Sequence, residues 1–284
     1  GTGTCVNVSP VTGKTDYAVI GFNSTCADTD TVSVTVMPVP VANAGNDITS
    51  CAGSSITLCG TASINATSYS WYELTGWTLT DTTACIIISP FSATDYALVV
   101  TNGFCSDTDT VAITAYPLPI LDAGNDATIL SSKGTVLYGT GNGSTCIWIP
   151  SAGLNDTTIF NPVATPSVTT TYTLIVTDVN GCTNMDSVRV IVVPDVVMVD
   201  GISPNNDGKN DEWIIPNIER FPECVVEIYN RWGELLFRSV GYKETFKGRT
   251  YRGKDLPVGT YYYVINLNSE LHKEPITGPI TIMR

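Results

Sequence analysis

Polar and apolar residues alternate with a period of two along much of this chain. In VVEIYNRWGELLFRS (225–239), Val226 and Ile228 alternate with Glu227 and Tyr229. Arg231–Gly233 then read as a turn, and Leu235 and Phe237 alternate on the return. Such alternation marks half-buried strands. GTYYYVINL (259–267) and GPITIMR (278–284) read as closing strands. No long stretch carries the 3.6-residue apolar period of an amphipathic helix. Three segments share one pattern: TDYAVIGFNSTCADTDTVSVTV (15–36), TDYALVVTNGFCSDTDTVAITA (94–115) and TTYTLIVTDVNGCTNMDSVRVIV (170–192). Each predicts two strands joined by a short turn, so the expected class is all-β.

The three segments are one unit repeated. Tyr17, Tyr96 and Tyr172 align, as do Cys26, Cys105 and Cys182, and Asp30, Asp109 and Asp186. The cysteines are 79 and then 77 residues apart, the size of a small sandwich. ANAGNDITS (42–50) and DAGNDATIL (122–130) open the second and third units, after the linkers Pro38–Pro40 and Pro117–Pro119. Trp71 and Trp148 follow each string and are the expected core plugs of immunoglobulin-like sandwiches. The expected domains are a C-terminal half-repeat at 1–38, repeats at 39–117 and 118–194, and a compact β-sandwich at 195–284. The chain opens in mid-repeat, so a longer parent protein is expected.

Charge divides the chain. Residues 1–194 hold 3 basic and 14 acidic residues, whereas residues 195–284 hold 11 and 13. An acidic surface poor in lysine and arginine is a poor match for nucleic acid. No run of about 18 apolar residues exists, so no transmembrane helix is expected.

Nine cysteines beside a single histidine favour disulfides, and hence an oxidising compartment, over zinc. The expected pairs are Cys51–Cys105, Cys59–Cys85 and Cys146–Cys182, although four cysteines in one repeat allow three connectivities. Cys5 and Cys26 are expected to pair upstream, or with each other. Cys224 reads as a small buried apolar residue.

Residues 39–194 resemble the PKD-like and immunoglobulin-like modules of Bacteroidetes surface proteins, through AGND, Trp148-Ile-Pro, GLND (153–156), NPVATPSVTTTYTLIVTD (161–178) and Gly181-Cys182. Residues 201–284 resemble the gliding-motility-associated C-terminal domain, the type B sorting signal of the type IX secretion system. The carrying strings are SPNNDGKND (203–211), Trp213, IYNRWGELLF (228–237), GKDLPVGTYYYVINL (253–267) and ITIMR (280–284). Ile202 departs from the usual Phe, and Phe246-Lys247-Gly248 from the usual Trp-Asp-Gly. The resemblance implies export as a folded passenger and retention at the outer-membrane surface. The implied partners are the type IX translocon and an outer-membrane β-barrel of the PorP/SprF type. The expected partner-binding residues are Tyr229, Asn230, Arg231, Trp232, Gly233, Leu256, Pro257, Gly259 and Tyr261. Trp232 either stands exposed at the hairpin tip or folds back onto the core. Asp30-Thr31-Val32, Asp109-Thr110-Val111 and Asp186-Ser187-Val188 look like the Bacteroidetes O-glycosylation signal, with Thr31, Thr110 and Ser187 as acceptors; they also read simply as strand starts.

The expected function is the C-terminal region of a secreted adhesin, with spacer or adhesive repeats ahead of a sorting signal. A second reading is a secreted enzyme whose catalytic domain lies upstream. Within this chain no enzyme is expected: Gly13-Lys14-Thr15 lacks the earlier glycine of a phosphate loop, and no hydrolase motif occurs. Ser203, Asn205, Asp207 and Asp211 fall at positions 1, 3, 5 and 9 of a calcium loop, yet Ile214 replaces the glutamate at position 12. Calcium therefore competes with a self-satisfied Asx turn, and no other cofactor is expected. Trp77, in GWTLT, reads as either core or an exposed stacking residue for a surface glycan.

Overall fold

A computed structural model describes residues 5–283. Its described residues divide into two compact units, 5–118 with 179–182, and 119–178 with 183–283.

In the first unit, β1 (Gly13–Phe22) and β2 (Ala27–Val36) form an antiparallel hairpin. Val19, Phe22 and Val32 stay exposed, because the hairpin pairs with no other strand among the described residues. The second repeat is complete. Its strands are β3 (Ile48–Cys51), β4 (Ile56–Cys59), β5 (Ser68–Glu73), β6 (Thr78–Asp81), β7 (Cys85–Ile88), β8 (Thr94–Thr101) and β9 (Ser106–Tyr116). A five-stranded sheet, ordered β3-β9-β8-β5-β6, is closed by a β4-β7 ribbon. Fully buried Trp71 sits between them, among Leu58, Ile86, Leu98 and Ile113.

In the second unit, the third repeat comprises β10 (Leu121–Asp122), β11 (Ala127–Leu130), β12 (Thr135–Val136), β13 (Thr140–Gly141), β14 (Thr145–Ile149), β15 (Val163–Ala164), β16 (Thr170–Thr177) and β17 (Thr183–Val193). Its main sheet runs β11-β17-β16-β14 around buried Trp148 and Tyr172. The C-terminal domain adds β18 (Gly201–Ile202), β19 (Val225–Tyr229), β20 (Leu235–Val240), β21 (Gly259–Asn266) and β22 (Ile276–Ile282), paired as β18-β22-β21-β19-β20. Its second layer is built from the connecting segments, which bring Trp213, Ile215, Phe221 and Phe246 onto that sheet. The fold is all-β, with one short 3-10 turn at Ile218–Arg220 among the described residues.

The recurring strings have one physical role. Ala42 and Ala44 donate their N–H groups to Asp107 and Asp109, each at 2.8 Å, while Asp47 accepts from Ala112 N–H at 2.9 Å. In the third repeat, Asp186 accepts from Ala123 N–H at 2.9 Å and Asp126 from Arg189 N–H at 2.8 Å. The entry loop and the last strand thus satisfy each other's backbone. The AGND glycines, Gly45 and Gly124, turn the loop at φ +91° and +85°, where a Cβ is disfavoured. At Gly124 a Cβ would also lie 2.9 Å from the Tyr138 carbonyl oxygen.

The disulfides differ from the expectation in two of three cases. Cys59 is joined to Cys85, directly opposite it across β4 and β7. Cys51 is joined not to Cys105 but to Cys182. β3 runs parallel to β9 and sets Cys51 opposite Tyr116, at the far end of β9 from Cys105. At about 3.3 Å per residue that separation is roughly 35 Å, well beyond a disulfide's reach of about 7 Å. Cys146–Cys182 is also absent. β14 and β17 lie on opposite sides of β16, two strand spacings of about 4.8 Å apart. The Cys146 thiol instead donates to the Thr158 carbonyl oxygen at 3.2 Å. Cys5, Cys26, Cys105 and Cys146 are unbridged, and Cys224 is buried in the C-terminal core.

Two outcomes follow. Asp109→Ala leaves the N–H of Ala44, itself 3% exposed, without its acceptor. Denaturant melts of the second repeat should show a loss of about 1–3 kcal/mol. Asp30→Ala, whose carboxylate bonds the adjacent exposed Thr31 N–H, should change stability by less than about 0.5 kcal/mol. Separately, trypsin acts after Lys14, Lys133 and Arg189. Non-reducing digestion of thiol-blocked, unfolded chain should therefore yield peptide 15–133 covalently joined to 134–189 through Cys51–Cys182. The pairs Cys51–Cys105 and Cys146–Cys182 would leave those two peptides separate in the mass spectrum.

Candidate functional site

The β19–β20 hairpin is built by its own turn. Gly233 takes φ +79° and donates its N–H to the Asn230 carbonyl at 3.0 Å. Asn230 Oδ1 accepts from both Trp232 N–H (2.9 Å) and Glu234 N–H (3.0 Å), and Asn230 Nδ2 donates to the Glu234 carboxylate at 2.9 Å. The strand register slips after Ile228, so Tyr229 pairs with Leu235 and Ile228 with Phe237. A positive-φ glycine with one extra residue is the chemistry of a bulged hairpin, which fixes the aim of the side chains at its tip.

Arg231 and Trp232 occupy that tip. Trp232 is 82% exposed, and the Arg231 guanidinium lies 5.5 Å from its ring centroid. The expected site residues therefore divide. Tyr229, Asn230, Arg231, Trp232 and Gly233 gather at the tip, whereas Pro257 lies on a different loop and Gly259 opens β21. Leu256 and Tyr261 are corrected: both are buried in the core. Tyr261 sends its hydroxyl to the Pro257 carbonyl oxygen at 2.9 Å. Neighbouring strand residues point to opposite faces, so the outward tyrosine is Tyr262, 47% exposed and opposite Tyr229. The tip thus continues onto an open sheet face, where Tyr229 donates to Glu227 at 2.8 Å and Arg238 pairs with the same carboxylate at 3.2 Å.

The core tryptophan is Trp213. Its indole N–H donates to the Val199 carbonyl at 2.7 Å, and its own carbonyl accepts the Tyr242 hydroxyl at 2.6 Å. Burial pushes the Tyr242 hydroxyl far above the usual phenol range. Phe246 and Ile202, the two departures from the family pattern, are both fully packed in this core.

The Asx-rich loop satisfies itself. Asp211 accepts the N–H groups of Asn205 (2.9 Å), Asn206 (2.7 Å) and Gly208 (2.8 Å). Asp207 accepts from Lys209 N–H at 2.8 Å and Asn205 Nδ2 at 3.2 Å. The Ser203 hydroxyl donates to the Lys209 carbonyl at 3.3 Å. These four residues are a self-capped turn and do not fit an open ring of oxygen ligands. No group of three or more His, Cys, Asp or Glu side chains is placed to hold a metal among the described residues. The hydroxyl-bearing residues Thr31, Thr110 and Ser187 are exposed. The aspartates beside Thr110 and Ser187 serve the backbone clamps described above.

Burial would raise the Asp211 carboxyl, but the N–H groups of Gly208, Asn206 and Asn205 outweigh it and hold it below the usual range. A depressed folded value stabilises above the unfolded value, near pH 4, and that contribution is lost as pH falls through the folded value. Thermal melts of the C-terminal domain should therefore drop more steeply below about pH 4 than above pH 5. Asp211→Asn should lower the melting point at pH 7 and flatten the acid dependence.

Crystal structures of immunoglobulin-domain proteins are similar to this chain at low identity. The N-terminal eight Ig domains of Down Syndrome Cell Adhesion Molecule are 11% identical, over 93% of this chain and 45% of that one, at a TM-score of 0.38. An I-band fragment of titin is 14% identical, over 88% of this chain and 100% of that one, at 0.35. The strand pairing defines the fold without them. No curated protein matches the chain. Residues 196–282, which hold the bulged hairpin and the self-capped loop, match the CHU_C Type IX secretion signal domain family, so the C-terminal domain of this chain is a type IX sorting signal.

Proposed function

We propose that this chain is the C-terminal region of a cell-surface adhesin, exported by the type IX system and held at the outer membrane through the tip of its sorting domain. The observation that carries this reading is the exposed, conformationally fixed Arg231–Trp232 pair. Tryptophan and arginine dominate binding hot spots, and a preordered turn lowers the entropic cost of binding. No helix among the described residues is long and apolar enough to cross a membrane, so a partner that holds the domain at the surface fits the sequence resemblance. The repeats ahead of the domain supply length and exposed surface rather than a catalytic constellation. The partner is an outer-membrane β-barrel of the PorP/SprF type, engaged after the folded passenger leaves the translocon.

Arg231→Ala combined with Trp232→Ala should leave the thermal melt of the chain unchanged, because the pair packs at the exposed tip. Pull-down by the purified barrel should weaken by roughly tenfold or more, the factor for about 1.4 kcal/mol. Unchanged capture alongside an unchanged melt would remove the hairpin from the interface.

A further inference from the structure

Repeat two carries something repeat three lacks. In the third repeat the main sheet ends at β14. In the second, β6 extends the sheet beyond the equivalent strand, and the residue that leads into it is Trp77. Trp77 is 56% exposed and stacks on Tyr72, with ring centroids 5.4 Å apart and planes 13° from parallel. Its backbone sits at φ +49°, a region that bulky L-residues rarely occupy. Such local cost persists where the surrounding structure holds it, and it gathers at functional positions.

We propose that Tyr72 and Trp77 form a stacking platform for a neutral glycan on the outer face of the second repeat. The strand register shows what shares that face, because residues directly opposite in an antiparallel sheet point the same way. Tyr72 lies opposite Leu79 on one side and Ala97 on the other, and Ala97 lies opposite Thr110. Two residues along, Ser70 lies opposite Val99, which lies opposite Thr108. An aromatic edge is thus followed, at about 4.8 Å per strand, by a field bearing the hydroxyls of Ser70, Thr108 and Thr110. A pyranose ring has matching chemistry. Its C–H face meets the electron-rich face of an aromatic ring, and its hydroxyls hydrogen-bond to the side.

Charge sets the class of ligand. Residues 39–118 contain no lysine or arginine and six carboxylates, so a polyanion is repelled and a neutral polymer is not. Size argues against a protein partner. A stable protein interface needs about 800 Å² per side, more than two aromatic side chains of roughly 150–250 Å² each provide. The inference deepens the adhesin reading and rests on it for its biological setting only, since binding is measured on the whole chain in solution.

The probes are neutral hexasaccharides of β-1,4-glucose, β-1,3-glucose and N-acetylglucosamine, with anionic alginate as a charge control. Tryptophan emission and calorimetry read binding. At least one neutral probe should bind and shift the emission. Trp77→Gly, which accepts the positive φ without strain, should weaken that binding at least tenfold with the thermal melt retained. Arg231→Ala with Trp232→Ala should bind as the parent does, which separates this site from the sorting surface. Absence of binding by every neutral probe, binding by alginate alone, or unchanged affinity in Trp77→Gly would each overturn the proposal.

Discussion

A chain this rich in loops must satisfy backbone N–H groups that no strand pairs, and here aspartate meets that constraint. An unpaired buried N–H costs as much as a lost hydrogen bond, so each such group needs an assigned acceptor. Asp107, Asp109 and Asp186 accept from the entry loops, and Asp47 and Asp126 accept from the last strands. Asp211 closes the SPNNDGKND loop in the same way. The acidity of the first 194 residues is therefore partly internal architecture. It also explains why a spacing that resembles a calcium loop is occupied by amide hydrogens.

Once the backbone is satisfied, strand parity decides which side chains meet the outside. Tyr261 and Tyr262 are adjacent and chemically identical, yet one packs in the core while the other stands on the open face beside Tyr229. Trp213 and Trp232 divide the same way: one anchors the core through two backbone carbonyl contacts and the other caps the hairpin tip. The sorting domain thereby keeps its folding residues apart from its accessible ones.

Much of this was legible in the sequence. The repeat register, the buried Trp71 and Trp148, and the hairpin turning at Arg231–Gly233 all follow from local pattern, because period two and turn chemistry are local properties. What was not legible depends on length and parity. Pairing Cys51 with Cys105 assumed that the last hairpin turns close to the first strand. The eleven residues of β9 carry that turn to the opposite end of the sheet. Tyr261 and Tyr262 differ by one position, enough to exchange the faces of a strand. The second layer of the C-terminal domain, made of loops around Trp213 and Phe246, has no periodic signal to read.

The ends of β3 and β11 carry different chemistry, although the two modules share one pattern. Cys51 and Leu130 both stand seven residues after the alanine of AGND. Cys51 bonds covalently to Cys182 in the hairpin turn of the third repeat. Leu130, 2% exposed, packs with the C-terminal core, while Ser131 and Ser132 hold Asp195 by side-chain hydrogen bonds of 2.6 and 2.8 Å. Asn217 adds a bond to the Asp195 carbonyl at 2.7 Å. A disulfide resists unfolding of either partner, whereas a packed and hydrogen-bonded joint forms only when the C-terminal domain has folded around it. The junction next to the sorting signal is thus a property of the folded C-terminal domain rather than of a covalent bond.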